Sequence, residues 1–161
     1  LELIAALAEG SLRDAESLLD QITSLDQDVE LKDVERIAGK IGYKKTAKLA
    51  EHLLKRELEN ALNYLNEIDQ GGYNLIQLNK DLIHYLRRVL TLKMDPKIEE
   101  LYKKELTKDE IEHLKNHAKL LNGQKHIALL KSLIQAYGEM RYSPFAIVPL
   151  EVAIIENLRQ S

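Results

Sequence analysis

Arg13 occupies a place where helix electrostatics disfavours a cation. Gly10 suits the position just past a helix end, and Ser11 suits an N-cap whose hydroxyl accepts an orphan backbone N–H. Asp14 completes an S-x-x-D pattern of the capping-box kind. Arg13 then falls in the first turn, against the positive end of the helix dipole, at a cost of roughly 0.3 to 1 kcal/mol. Two chemistries fit it. One is a surface ion pair with Glu9, Asp14 or Glu16, stabilising by less than about 1 kcal/mol. In the other, the guanidinium points out of the helix start, beside exposed N–H groups, toward a phosphate carried by another domain.

Two further groups of residues have spacing that could do chemistry. His113 and His117 stand four apart, one turn after Glu110, a spacing that could hold a metal. Their flanks are polar ("NHAK"), so solvated helix histidines are the expectation and no metal ligand is assigned. Lys40, Lys44, Lys45, Lys48, Lys55 and Arg56 form a basic cluster with little aromatic interleaving. It reads as a solvated face, with weak phosphate contact as the alternative. "AGKIG" has a Gly-Lys pair but lacks the upstream glycine of a phosphate loop. G-x-G-x-x-G, H-E-x-x-H and any cysteine are absent. No catalytic residue is predicted.

These residues must be positioned by helices. The 161 residues are 45% apolar and 30% charged, enough to bury a core, and the net charge of −3 gives no broad field for nucleic acid. No apolar run is long enough to span a membrane and no signal peptide opens the chain, so a cytoplasmic protein is expected. The chain begins without Met inside "LELIAALA", as a piece of something longer would. Helical spacing runs throughout, while two-residue alternation is nearly absent. Leu3, Ile4, Leu7 and Ala8 form one stripe, and Ala15, Leu18, Leu19 and Ile22 the next. "LKDVERIAG" reads as a short helix ended by Gly39, followed by a linker over 40–43 and a helix in "GYKKTAKLAEHLLK". Leu58, Ala61, Leu62, Leu65 and Ile68 make a stripe that stops at Gly71-Gly72.

Asn74 can cap the next helix, with Leu75, Leu78, Leu82, Tyr85, Leu86 and Val89 on one side and a break at Pro96. Thr107 and Glu110 form a capping box before Ile111, Leu114, Ala118 and Leu121, with a stop at Gly123. Ile127, Leu130, Leu133, Ile134 and Tyr137 mark a further helix, ended by Ser143-Pro144, and a last one starts near Pro149. The prediction is an all-α protein of about ten helices. The last helix, "IVPLEVAIIENL", is apolar nearly all round and leaves little beyond Glu151, Glu156 and Asn157 polar. Such a helix must be covered on nearly all sides. Contact with another subunit through Leu150, Ile154, Ile155 and Leu158 is expected, with a plain core helix as the alternative.

The segment "LELIAALAEGSLRDAESLLDQ" resembles the lid of AAA+ clamp-loader ATPases, in particular the gamma/tau subunits of bacterial DNA polymerase III. In that family this run carries the sensor 2 arginine, which falls here on Arg13. "GGYNLIQLNKDLIHYLRRVLTLK" is similar to the family's collar helix, with Asp81, Leu82, Tyr85, Leu86, Arg87 and Lys93 in place. "EMRYSPFAIVPLEVAIIENL" is similar to its closing helix. The resemblance implies that residues 1–42 are the back part of the lid and 43–161 a helical collar that joins subunits. It implies that Arg13 reaches the γ-phosphate of ATP in the full-length protein, and that this stretch does not itself hydrolyse ATP. Implied partners are other clamp-loader subunits and, through the full-length protein, the sliding clamp and primer–template DNA, with no membrane. The whole would serve the nucleotidyltransferase holoenzyme in DNA replication. Glu16 and the apolar "FAIV" at 145–148 depart from the family pattern, and 94–125 aligns with nothing in it. A tail of another AAA+ protein of the recombination-factor type, and a stand-alone helical scaffold or metal-binding bundle, are the alternatives.

Overall fold

The computed structural model describes residues 31–159, with side chains from 42 onward, and five helical positions nearer the start: Arg13, Glu16, Leu19, Asp20 and Thr23. The stripes expected over 3–8 and 15–22 otherwise lie outside the described residues. Among the described residues there are seven further helices and no strand, so the chain is all-α as its periodicity predicts. They are α1 (Leu31–Leu54), α2 (Leu58–Gln70), α3 (Leu75–Met94), α4 (Glu99–Tyr102), α5 (Lys108–Leu120), α6 (Gly123–Met140) and α7 (Ile147–Leu158). A single 3-10 turn, Pro96–Ile98, joins α3 to α4.

α3 is the hub. Its stripe of Leu75, Leu78, Leu82, Tyr85, Leu86, Val89 and Leu92 is buried, and it packs against α1, α5 and α6. α7 packs on α6 and α2, closing the bundle on the far side. The caps follow from local chemistry. Asn74 Oδ1 accepts from Gln77 N at 3.0 Å to start α3. Thr107 Oγ1 accepts from Glu110 N at 3.3 Å, and Glu110 Oε2 accepts from Thr107 N at 2.7 Å, which completes the capping box of α5. α2 ends in a Schellman turn: Tyr73 N donates to Ile68 O and Gly72 N to Asp69 O, with Gly72 at φ 77°.

The expected break at Gly39 and the linker over 40–43 do not occur, because α1 runs unbroken through both glycines. A helix-interior glycine costs about 1 kcal/mol against alanine, and tertiary packing overrides it here. Ala47, Leu49, Ala50, Leu53 and Leu54 are all buried. Gly42 also leaves room for a neighbour: a Cβ there would lie 2.8 Å from the Tyr73 hydroxyl, which would have to shift. The buried face of α6 differs from the expected stripe and shares only Leu133 with it. His126, Leu129, Leu133, Ala136 and Met140 turn inward, while Ile127 and Ile134 stand exposed. A hydropathy stripe ranks His and Ala low, yet these line the core. Gly123 begins α6 rather than ending α5, which stops at Leu120.

Candidate assembly interface

α7 explains itself from its two faces. Leu150, Ala153, Ile154 and Leu158 lie at helical spacing and are buried in the chain's own core. The opposite face carries Val148, Val152 and Ile155, exposed by 47%, 46% and 38%. Three aliphatic side chains one turn apart on the outer face make a continuous apolar ridge. Phe145 extends it by one more turn and is 69% exposed. The Ser143-Pro144 turn holds that ring out: Ser143 Oγ accepts from Phe145 N at 3.1 Å and donates to Phe145 O at 3.0 Å. Phe145 O then accepts from Val148 N at 3.2 Å, so the turn runs directly into α7.

Of the four contact residues expected from sequence, only Ile155 therefore reaches solvent. Leu150, Ile154 and Leu158 belong to the core, which is a correction to the expected interface set. A helix apolar all round has no sequence signal for which face turns in, and Val148 and Val152 take the outer places.

The ridge rests on a polar frame that periodicity does not reveal. Arg56 sits at φ 60°, in the left-handed region, as the glycine-like residue of the Schellman turn that ends α1. Arg56 N donates to Leu53 O at 3.1 Å and Glu57 N to His52 O at 2.9 Å. Its guanidinium donates from Nη2 to Asn157 O at 2.6 Å, at the carbonyl end of α7, where a cation is favoured. The expected solvated basic face thus holds for Lys44 and Lys48, which are exposed, and fails for Arg56, which is half-buried and committed. Lys48 lies 4.3 Å from the Tyr64 ring centroid and Lys45 5.6 Å from that of Tyr73, so aromatics do accompany this cluster in space. At the start of α6, His126 Nδ1 accepts from Asn122 N at 2.7 Å. Burial, then the nearby Arg56 charge, lower the His126 pKa.

Deeper in, Tyr43, Tyr85 and His117 tie α1, α3 and α5 together. Tyr85 Oη and His117 Nδ1 share a hydrogen bond of 2.7 Å, and the Tyr43 and Tyr85 rings meet edge-on at 5.8 Å. Tyr43 Oη donates to Glu110 O at 3.4 Å. Burial, with the Glu110 charge second, pushes the Tyr43 phenol up to about 12, and burial lowers the His117 pKa. His117 is thus a buried core histidine and not the solvated one expected from its flanks. It turns inward, His113 turns out, and Glu110 is occupied by its capping box. Among the described residues no group of three such side chains could hold a metal. Asn79, wholly buried, donates from Nδ2 to Leu133 O at 3.0 Å and joins α3 to α6. Arg13 lies on a helix and is exposed.

The all-helical arrangement is a fold shared with a solved protein: the chain superposes on the Bacillus subtilis DNA clamp loader delta protein with a TM-score of 0.65 and 14% identity, covering 99% of this chain and 50% of that one. The family described as DNA polymerase III subunits gamma and tau domain III matches residues 29–160, and the chain belongs to that family. It is 31% identical to the tau subunit of Bacillus subtilis over 100% of this chain and 28% of that protein. It is 24% identical to the gamma subunit of Buchnera aphidicola subsp. Acyrthosiphon pisum over 96% of this chain and 42% of that one. The family read from the lid and collar motifs is therefore borne out. The chain spans less than half the length of either relative.

Proposed function

We propose that this chain is the lid-to-collar part of a clamp-loader ATPase subunit that serves DNA replication. Residues 43–161 act as the collar that joins subunits, and residues 1–42 as the back of the lid. One observation carries the collar reading: the apolar ridge of Phe145, Val148, Val152 and Ile155 stands opposite the face by which α7 enters its own core. Partners are other clamp-loader subunits, with the sliding clamp and primer–template DNA engaged through the full-length protein. Among the described residues no helix is long and apolar enough to cross a membrane, which is compatible with a cytoplasmic site of action.

Arg13 serves the full-length protein as a contact to the phosphates of ATP held by its nucleotide-binding domain. An exposed guanidinium on a helix supports this role. ATP hydrolysis is assigned to parts of the protein other than these residues. α1 supplies the coupling. Its unbroken run from Leu31 to Leu54 spans the division proposed at 42/43, which supports transmission of a lid tilt to the collar. Arg13→Ala in the full-length protein is expected to impair ATP-driven clamp loading while subunits stay assembled. Normal loading by that variant would remove the sensing role.

A further inference from the structure

A second surface lies away from the α7 ridge. Between α4 and α5 opens a cavity of about 540 Å³, within the size range of pockets that hold ligands. Leu106, half-buried, lines it, and Ile111, buried in the core, forms its floor. Its rim carries four lysines, Lys103, Lys108, Lys115 and Lys119, against two carboxylates, Glu99 and Glu112. That balance is positive in a chain whose net charge is −3.

The ion pairs sharpen the asymmetry. Glu99 is shared between Lys115 at 3.3 Å and Lys103 at 3.7 Å, and Lys103 also reaches Glu100 at 2.7 Å. One carboxylate is thus spent on two lysines. Lys119 donates only to the neutral Asn116, at 3.3 Å, and neither it nor Lys108 has a carboxylate partner among the described residues. An apolar strip flanked by uncommitted cations fits a ligand that is aliphatic on one side and anionic at its edges. Nucleic acid fits less well, because no arginine fork is present for phosphate and no lining aromatic offers a stacking platform.

We propose that this groove docks an acidic amphipathic peptide segment of a partner protein, its aliphatic side chains on the exposed part of Leu106 above the Ile111 floor and its carboxylates at Lys108 and Lys119. The mode is that of a helix or short peptide laid in a groove, with the lysines setting register and association rate. The inference does not rest on the collar reading, because it uses neither α7 nor Arg13.

The test is fluorescence anisotropy with a labelled synthetic peptide carrying leucines at helical spacing among aspartates and glutamates, titrated with the whole chain. Saturable binding is expected, weakened roughly tenfold or more by Lys108→Glu/Lys119→Glu. Both lysines are exposed, so the melting temperature of the double variant should match wild type. A peptide with its leucines changed to serine should lose binding. The proposal is overturned if no saturable binding is seen, if charge reversal leaves it unchanged, or if the serine peptide binds equally. It is also overturned if a single-stranded oligodeoxynucleotide displaces the peptide with the same lysine dependence. Loss of self-association in the charge-reversed variant would mark the groove as a contact between copies and overturn it too.

Discussion

Ile154 and Ile155 are neighbours in sequence that face opposite ways, and changing each to lysine separates core from interface. Ile154 is fully buried. Removing its side chain costs about 2 to 5 kcal/mol, and an unpaired buried ammonium adds several more. That sum approaches the whole stability of a domain, about 5 to 15 kcal/mol. Ile154→Lys should therefore lose its cooperative thermal transition in far-UV circular dichroism. Ile155 lies on the ridge, in the last turn of α7, where a cation is favoured by the helix dipole. Ile155→Lys should cost about 1 kcal/mol or less, a shift of roughly 2 to 5 °C in melting temperature. On the ridge, however, it puts a charge that must be desolvated wherever another subunit packs. Association followed by light scattering across a concentration series should weaken by roughly 100-fold. Equal thermal damage from both variants would refute the assignment of faces. A folded Ile155→Lys protein that associates like wild type would refute the interface.

Arg56 gives a test of the polar frame by denaturant melts. Arg56→Ala loses the bond to Asn157 O and keeps the left-handed backbone, a cost of about 2 kcal/mol. Arg56→Gly loses the same bond but relieves roughly 1 kcal/mol of backbone strain, so it should be the milder variant; equal losses would contradict the strained-turn account. The buried histidines predict acid sensitivity. His117 and His126 have pKa values lowered by burial, so the folded chain takes up these protons at lower pH than the unfolded chain, which does so near pH 6.5. This contribution is complete above that pH and is lost as pH falls below it until the folded histidines protonate too, by at most about 1.4 kcal/mol per unit for each histidine. Urea melts across this range should show the slope, and His117→Gln should reduce it.

Much of the fold is legible from spacing alone. Asn74, Thr107, Glu110 and Gly72 act as their types predict, because caps and left-handed turns depend on a few adjacent residues. The stripe of α3 is also plain, since a hub helix with polar residues opposite has one reading. The failures arise where local signals compete with contacts distant in sequence. Gly42 looks like a breaker until Tyr73 is found packed on it, and Arg56 looks like a surface cation until α7 brings Asn157 to it. In α7, apolarity on every side says that both faces will be covered and is silent on which is covered by the chain itself. Tyr43, Tyr85 and His117 come from three helices, so no window of sequence contains their network.

The collar assignment is tested most directly by a photo-crosslinking amino acid placed at Val152, in the middle of the ridge, within clamp-loader complexes assembled from full-length subunits. Leu101, an exposed apolar residue on α4, serves as the control position. Crosslinks from 152 should map by mass spectrometry to the helical C-terminal region of a neighbouring subunit, and those from 101 should not. Assembled complexes in which 152 yields no inter-subunit crosslink would contradict the claim that the outer face of α7 joins subunits.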